Sequence, residues 1–157
     1  MIYAIDPGTV RSAWAILGDD LRPLDFGIED NESLLCTVHR PQPMDFVIEM
    51  VACYGMAAGK DLFETAVWIG RFWEAAEGFR SRSRIYRKEE KMDLCHDSRA
   101  KDANIRQALI DRFGPVGTKQ NPGWFYGVSK DVWSAIAVGV TWADTSGRSA
   151  ITMEEGG

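Results

Sequence analysis

Short apolar runs dominate the first half of the chain, and apolar residues recur at helical spacing through much of the second. Residues 2–6, IYAID, are a strand-favouring run that stops at Asp6-Pro7-Gly8. Residues 12–17, SAWAIL, read as a second strand, Gly18-Asp19-Asp20 as a turn, and the alternating Leu24, Phe26 and Ile28 as a third strand. Three strands joined by short turns predict an antiparallel meander. A polar stretch over residues 30–33 leads into a short helix, and Pro41-Gln42-Pro43 reads as a break. Residues 46–50, FVIEM, suit a central strand buried on both faces. Over residues 60–77, Leu62, Ala66, Ile69, Trp73 and Ala76 share one helical face, so an amphipathic helix is expected. Residues 84–86 give a fifth strand. A helix over residues 101–113 turns Ile105, Ala108, Leu109 and Phe113 inward. After a loop over residues 114–127, a last helix runs from Lys130 to about Asp144.

This order predicts an α/β domain with a mixed five-stranded sheet covered by helices. The 157 residues suffice for one domain with a proper core. That domain is assigned to residues 1–144, and residues 145–157 read as a polar, mobile C-terminal tail. No apolar run approaches the roughly 18 residues needed to span a bilayer, and MIYAIDPG has no charged-then-apolar leader. A cytoplasmic protein is expected. Cys36, Cys53 and Cys95 lie far apart without a CxxC pair, which points to reduced thiols. With His39 and His96 the only histidines, and neither at ligand spacing from a cysteine, a structural zinc site is not expected.

The net charge of −5 runs against a nucleic-acid partner, but its distribution matters more than its sum. Residues 80–91 carry Arg80, Arg82, Arg84, Arg87, Lys88 and Lys91 against Glu89 and Glu90. A second basic cluster runs from Arg99 through Lys101 to Arg106, and a third includes Lys119. Each is equally readable as a solvated face.

Three carboxylates stand where chemistry is possible. Asp6 ends a buried strand, where a charge is costly unless it is paired or holds a metal; the plainer role is a turn-forming Asp before Pro-Gly. Glu49 is the lone acid in an apolar strand, compensated either by a divalent cation or by a buried arginine. Asp131 lies at the start of a helix that is apolar almost all round, with Ser129 as the expected N-cap, and capping alone would account for it. Two strand ends and a helix start are places where chain-distant acids converge. Two magnesium ions held there would activate water and stabilise a leaving oxygen in phosphodiester hydrolysis. No His or Ser constellation in the chain offers comparable chemistry.

At these residues the chain resembles the RuvC-like Holliday junction resolvases of bacteria and their phages, within the RNase H-like superfamily. Ile5-Asp6-Pro7-Gly8-Thr9 is similar to the family's first motif and Val47-Ile48-Glu49 to its second. Asp131 matches the first acid of the closing motif, Asp-x-x-Asp-Ala-Leu-Ala. The resemblance covers residues 2–143 and looks closer to phage or prophage relatives. It implies the RNase H-like fold, with Asp6 and Glu49 side by side on parallel strands. It implies catalytic and metal-binding roles for Asp6, Glu49 and Asp131 with two Mg2+ or Mn2+ ions. It also implies a homodimer that grips and nicks four-way DNA junctions. Lys101 would contact the DNA backbone, and Lys119 is a further candidate DNA contact. The segment from Ala52 to Lys60 would lie near the branch point, with Tyr54 stacking on an unpaired base, though Tyr54 reads equally as a half-buried aromatic. Two features depart from the family. Ser134 replaces the second acid of the closing motif, so Asp102 becomes a possible substitute, and the loop over residues 117–123 is long.

Three rival readings remain. Actin-like and sugar-kinase ATPases share the opening Asp-x-Gly-Thr, but one domain without a P-loop leaves no place for a nucleotide cofactor. A non-catalytic module for branched DNA would explain Ser134. A nuclease of the same fold acting on flaps, forks or RNA–DNA hybrids would carry the same acids.

Overall fold

The computed structural model describes the backbone of residues 1–155 and the side chains of residues 1–146. Five strands, β1 (Ile2–Asp6), β2 (Arg11–Leu17), β3 (Pro23–Asp30), β4 (Gln42–Met50) and β5 (Phe79–Tyr86), form one sheet in the order β3-β2-β1-β4-β5. β1, β2 and β3 pair antiparallel as the expected meander, while β4 lies parallel to β1 and β5 parallel to β4. The helices are α1 (Asn31–Val38), α2 (Lys60–Ala75), α3 (Arg87–Cys95), α4 (Asp102–Phe113) and α5 (Val132–Glu155). This is the mixed, helix-covered sheet of the RNase H-like fold.

Alternation along the strands divides the core in two. Tyr3, Ile5, Phe46 and Ile48 face α1 and α2, against Leu34, Val38, Ile69 and Phe72. Ile2, Ala4, Val47 and Ile85 face the other way, against Ile105 and Leu109 of α4 and the buried stripe of α5 around Ile136 and Val140. Since successive side chains point to opposite faces, Asp6 continues the series Ile2–Ala4, and Glu49 continues from Val47. Both acids therefore emerge on the α5 side. That face is tight: a Cβ on Gly139 would lie 2.6 Å from Leu17 Cδ1 and 3.2 Å from Ala4 Cβ, so glycine is what lets α5 approach β1.

Several elements differ from the expectation. The strand β4 runs through Pro43, where a break was expected. Its pairing with β1 begins only at Asp45, and its register with β5 is irregular between Gln42 and Asp45, so the missing proline N–H interrupts no ladder there. On the face expected of α2, Ile69 and Ala76 are buried and Trp73 packs partly buried on the core, but the buried stripe of the helix runs through Thr65, Ile69, Phe72 and Ala75, while Phe63 and Val67 take the exposed side. The strand β5 is longer than residues 84–86: its alternating arginines hid the pattern on an edge strand whose Ile85 and Phe79 alone are buried. The helix α3 was not expected at all. The last helix runs on to Glu155, through most of the segment read as a tail; Gly156 and Gly157 lie outside the described residues.

The tight seat of α5 predicts that Gly139→Val costs about 1–3 kcal/mol through overpacking. Gly70→Ala, in open space on α2, is expected to gain up to about 1 kcal/mol from helix propensity. Urea denaturation of both variants measures the contrast, and equal effects would contradict the packing described.

Candidate active site

The site begins with register. β1 and β4 pair Ile5 with Ile48, so the next residues, Asp6 and Glu49, stand side by side at the carboxyl ends of parallel strands. β4 and β5 pair Glu49 with Ile85 and Met50 with Tyr86, which places Arg87, the first residue of α3, at the same end. The carboxyl edge of a parallel sheet is where α/β proteins place their ligands.

The turn after Asp6 is locked by a small polar network. Gly8 N–H donates to Ser12 Oγ at 3.1 Å, Ser12 Oγ donates to Asn31 Oδ1 at 2.6 Å, and Asn31 Nδ2 donates to the Gly8 carbonyl at 2.9 Å. Ser12 and Asn31 are buried, and a side chain at Gly8 would collide with the Arg11 carbonyl oxygen, 2.2 Å from an added Cβ. Asp131 is brought in from the opposite layer. It sits directly before α5, its carbonyl accepting from Ala135 N–H, so it takes the cap position expected of Ser129. Lys130 before it adopts a left-handed backbone, φ 47°.

The electrostatics of the site follow from crowding acids together with little water. Burial pushes the Asp6 carboxyl well above the ordinary range, and the charges of Glu49 and Asp131 push it further, against the opposing pull of Arg87. Burial also raises Glu49, opposed by Arg87 and by a hydrogen bond with Asp6. The arginine that Glu49 was expected to need as an alternative to metal is present as Arg87, which bonds Glu90 Oε1 at 3.1 Å and pairs with Asp102. Arg87 is largely covered, and Glu90 completely so. Glu90 was missed from sequence because α3 was missed. Its one sequence signal is the i,i+4 spacing to Leu94, which packs on the core.

Beside the acids lies a cleft of about 290 Å3 lined by Arg87, Asp102, Arg106, Lys130, Asp131 and Ser134. Asp102 heads α4, as a helix-terminal acid should, and its charge also bears on Glu49. A second groove of about 340 Å3 is lined by Tyr54, Arg87, Lys88, Lys91 and Ser98. Tyr54 is exposed rather than half-buried, has a left-handed backbone at φ 47°, and its hydroxyl accepts from Lys88 N–H at 3.4 Å. Lys101 is the exposed N-cap of α4, its N–H bonded to Asn104 Oδ1, one residue from Asp102. Lys60 opens α2 and is exposed. Lys119 is exposed in a tight loop closed by the Gly117–Pro122 bridge. No contact among the described residues links Lys60 or Lys119 to the acids.

Among the described residues, no three His, Cys, Asp or Glu side chains are gathered closely enough to grip an ion as they stand. The donor set at the sheet edge nevertheless suits one. It consists of carboxylate oxygens with the Ser134 hydroxyl near by, the hard ligands of magnesium or manganese.

No family model matches the chain, and no curated protein matches it. Among solved structures, Thermus thermophilus RuvC is similar at a TM-score of 0.64 and 16% identity, over 92% of this chain and 96% of that one. The T. thermophilus RuvC structure in complex with Holliday junction substrate gives a TM-score of 0.62 at 15% identity, over 90% and 92%. The chain shares the fold of these proteins.

Mutual repulsion of the acids predicts that Asp6→Asn stabilises the metal-free protein at neutral pH, by about 0.5–2 kcal/mol, as removal of functional strain commonly does. Thermal melts in EDTA measure it. A clearly lower melting temperature for the variant would show that the pair stabilises the fold instead.

Proposed function

We propose that the chain is a metal-dependent endonuclease that nicks four-way DNA junctions by phosphodiester hydrolysis, working as a homodimer in the cytoplasm. The observation that carries this reading is the juxtaposition of Asp6 and Glu49 at neighbouring parallel strand ends, with the charge of Asp131, just ahead of α5, acting on Asp6, on a fold shared with RuvC. The RuvC structure with a Holliday junction substrate supports branched DNA as the substrate class. Among the described residues no helix is long and apolar enough to cross a membrane.

Asp6, Glu49 and Asp131 would hold Mg2+ or Mn2+. When bound, such ions supply a hydroxide nucleophile at neutral pH and stabilise the leaving oxygen. The chain's own residues do the rest. The Gly8–Ser12–Asn31 network fixes the turn that aims Asp6. The groove of Arg87, Lys88 and Lys91 would attract the phosphate backbone, and the exposed Lys101, Lys60 and Lys119 would add further phosphate contacts. Tyr54 offers an exposed ring beside that groove for an unpaired base, a stack worth about 1–3 kcal/mol. On the far side of the sheet, Phe63 and Val67 leave an apolar strip on α2 open to solvent, which supports a partner chain there.

A labelled four-way junction, with linear duplex, flap and hybrid controls, tests the substrate. The expected result is symmetric nicking of the junction, lost in EDTA and in Asp6→Asn, with junction binding retained by that variant. Cutting of flaps or hybrids instead would keep the chemistry and change the substrate. Tight binding without cutting in either metal would make the chain a binding module. For assembly, Phe63→Glu should convert a dimer to a monomer in analytical ultracentrifugation; an unchanged sedimentation coefficient would remove α2 from the interface.

A further inference from the structure

We propose that Glu90 of α3, ion-paired with Arg87, supplies the fourth acidic ligand of this site, in the role that Ser134 leaves unfilled on α5. The inference rests on the nuclease reading and deepens it.

Glu90 is the most deeply buried acid described at the site: its side chain has no exposed surface. One of its oxygens, Oε1, accepts from Arg87 Nη1 at 3.1 Å, while Oε2 is buried with no hydrogen-bond partner. Buried carboxylate oxygens are normally satisfied, and an acid kept only for packing is readily replaced by an apolar residue of similar volume. An unsatisfied oxygen calls for another explanation, and a cation is the partner it lacks.

Its position agrees. The register that pairs Glu49 with Ile85 and Met50 with Tyr86 sets the first turn of α3 against the end of β4. The charges of Glu49 and Asp6 both bear on Glu90, Glu49 the more strongly. Arg87 in turn feels Glu90, Glu49 and Asp102, so a single guanidinium is the positive charge this group of carboxylates shares. It supplies charge and two hydrogen bonds but cannot bring oxygens into a coordination shell.

Charge balance points the same way. Two divalent ions carry four positive charges, and Asp6, Glu49 and Asp131 provide three negative ones. Ser134, in the adjoining cleft, adds none. Glu90 completes the set from a different helix.

The test is Mn2+ binding to the full chain without DNA, followed by calorimetry and by the loss of the free-ion EPR signal. Glu90→Gln should weaken binding about tenfold or more, or lose one equivalent of ion, while keeping the far-ultraviolet circular dichroism of the native chain. Adding Ser134→Asp to that variant should restore what was lost. Ser134→Asp alone should change little, and this arm keeps the proposal falsifiable should Glu90→Gln fail to fold. Glu90→Gln titrating like the native chain, or Ser134→Asp tightening binding as much in the native background as in Glu90→Gln, would overturn it. If Asp6→Asn abolishes Mn2+ uptake while Glu90→Gln retains it, the nuclease reading stands and the Glu90 assignment falls. If the native chain takes up no Mn2+, both fall.

Discussion

Two carboxyl groups placed side by side in a poorly hydrated site cannot both be ionised unless a cation lies between or beside them. The parallel pairing of β1 with β4 forces Asp6 and Glu49 into that situation, and much of the local architecture is arranged around it. Burial and the neighbouring acids push the Asp6 carboxyl upward, and burial raises Glu49 as well. Arg87 is inserted among Glu49, Glu90 and Asp102. The Arg87 guanidinium offsets part of that burial cost at both acids. Such a site is held together by its surroundings rather than by its own contacts.

Those surroundings are made of ordinary packing. Side-chain alternation delivers both strand-end acids to the α5 face, and Gly139 lets α5 lie close enough on β1 for Asp131 to face them. The buried Ser12 and Asn31 hold the turn beyond Asp6, so that its backbone is fixed before any ligand binds. The two hydrophobic layers therefore act as the frame, and the acids occupy its one polar edge.

Much of this could be read from the residues. The meander, the central strand carrying Glu49, and the last two helices follow from apolar spacing that tertiary contacts reinforce. Asp6, Glu49 and Asp131 stood out because each interrupts or caps an apolar run. The α3 segment was illegible for a physical reason. Arg87-Lys88-Glu89-Glu90-Lys91 is almost wholly charged, and its helix is stabilised by the Glu89 carboxylate reaching back to the Tyr86 N–H and by contact with the core through Leu94. No hydrophobic stripe announced it, so Glu90 passed as one more solvated acid. The face of α2 was legible only in part, through Ile69, Trp73 and Ala76, because Phe63 and Val67, apolar yet exposed, blur the stripe that Ile69 and Phe72 bury. The arginines of β5 hid most of that strand's length in the same way: Arg82 and Arg84 lie over Trp73 while Arg80 pairs with Asp45, so residues that read as solvent-facing also make packing contacts.

Asp6, Glu49 and Asp131 lie on β1, on β4 and just ahead of α5, so they span most of the chain, and β1 pairs in parallel with a strand some forty residues away. During synthesis from the N-terminus, Asp6 emerges early but has no partner until β4 is made, and Asp131 follows only after α4 has left the ribosome. A ribosome-bound or prematurely terminated chain therefore carries isolated carboxylates and no assembled centre. That order of assembly keeps the three acids apart in every intermediate until α5 has docked against the sheet.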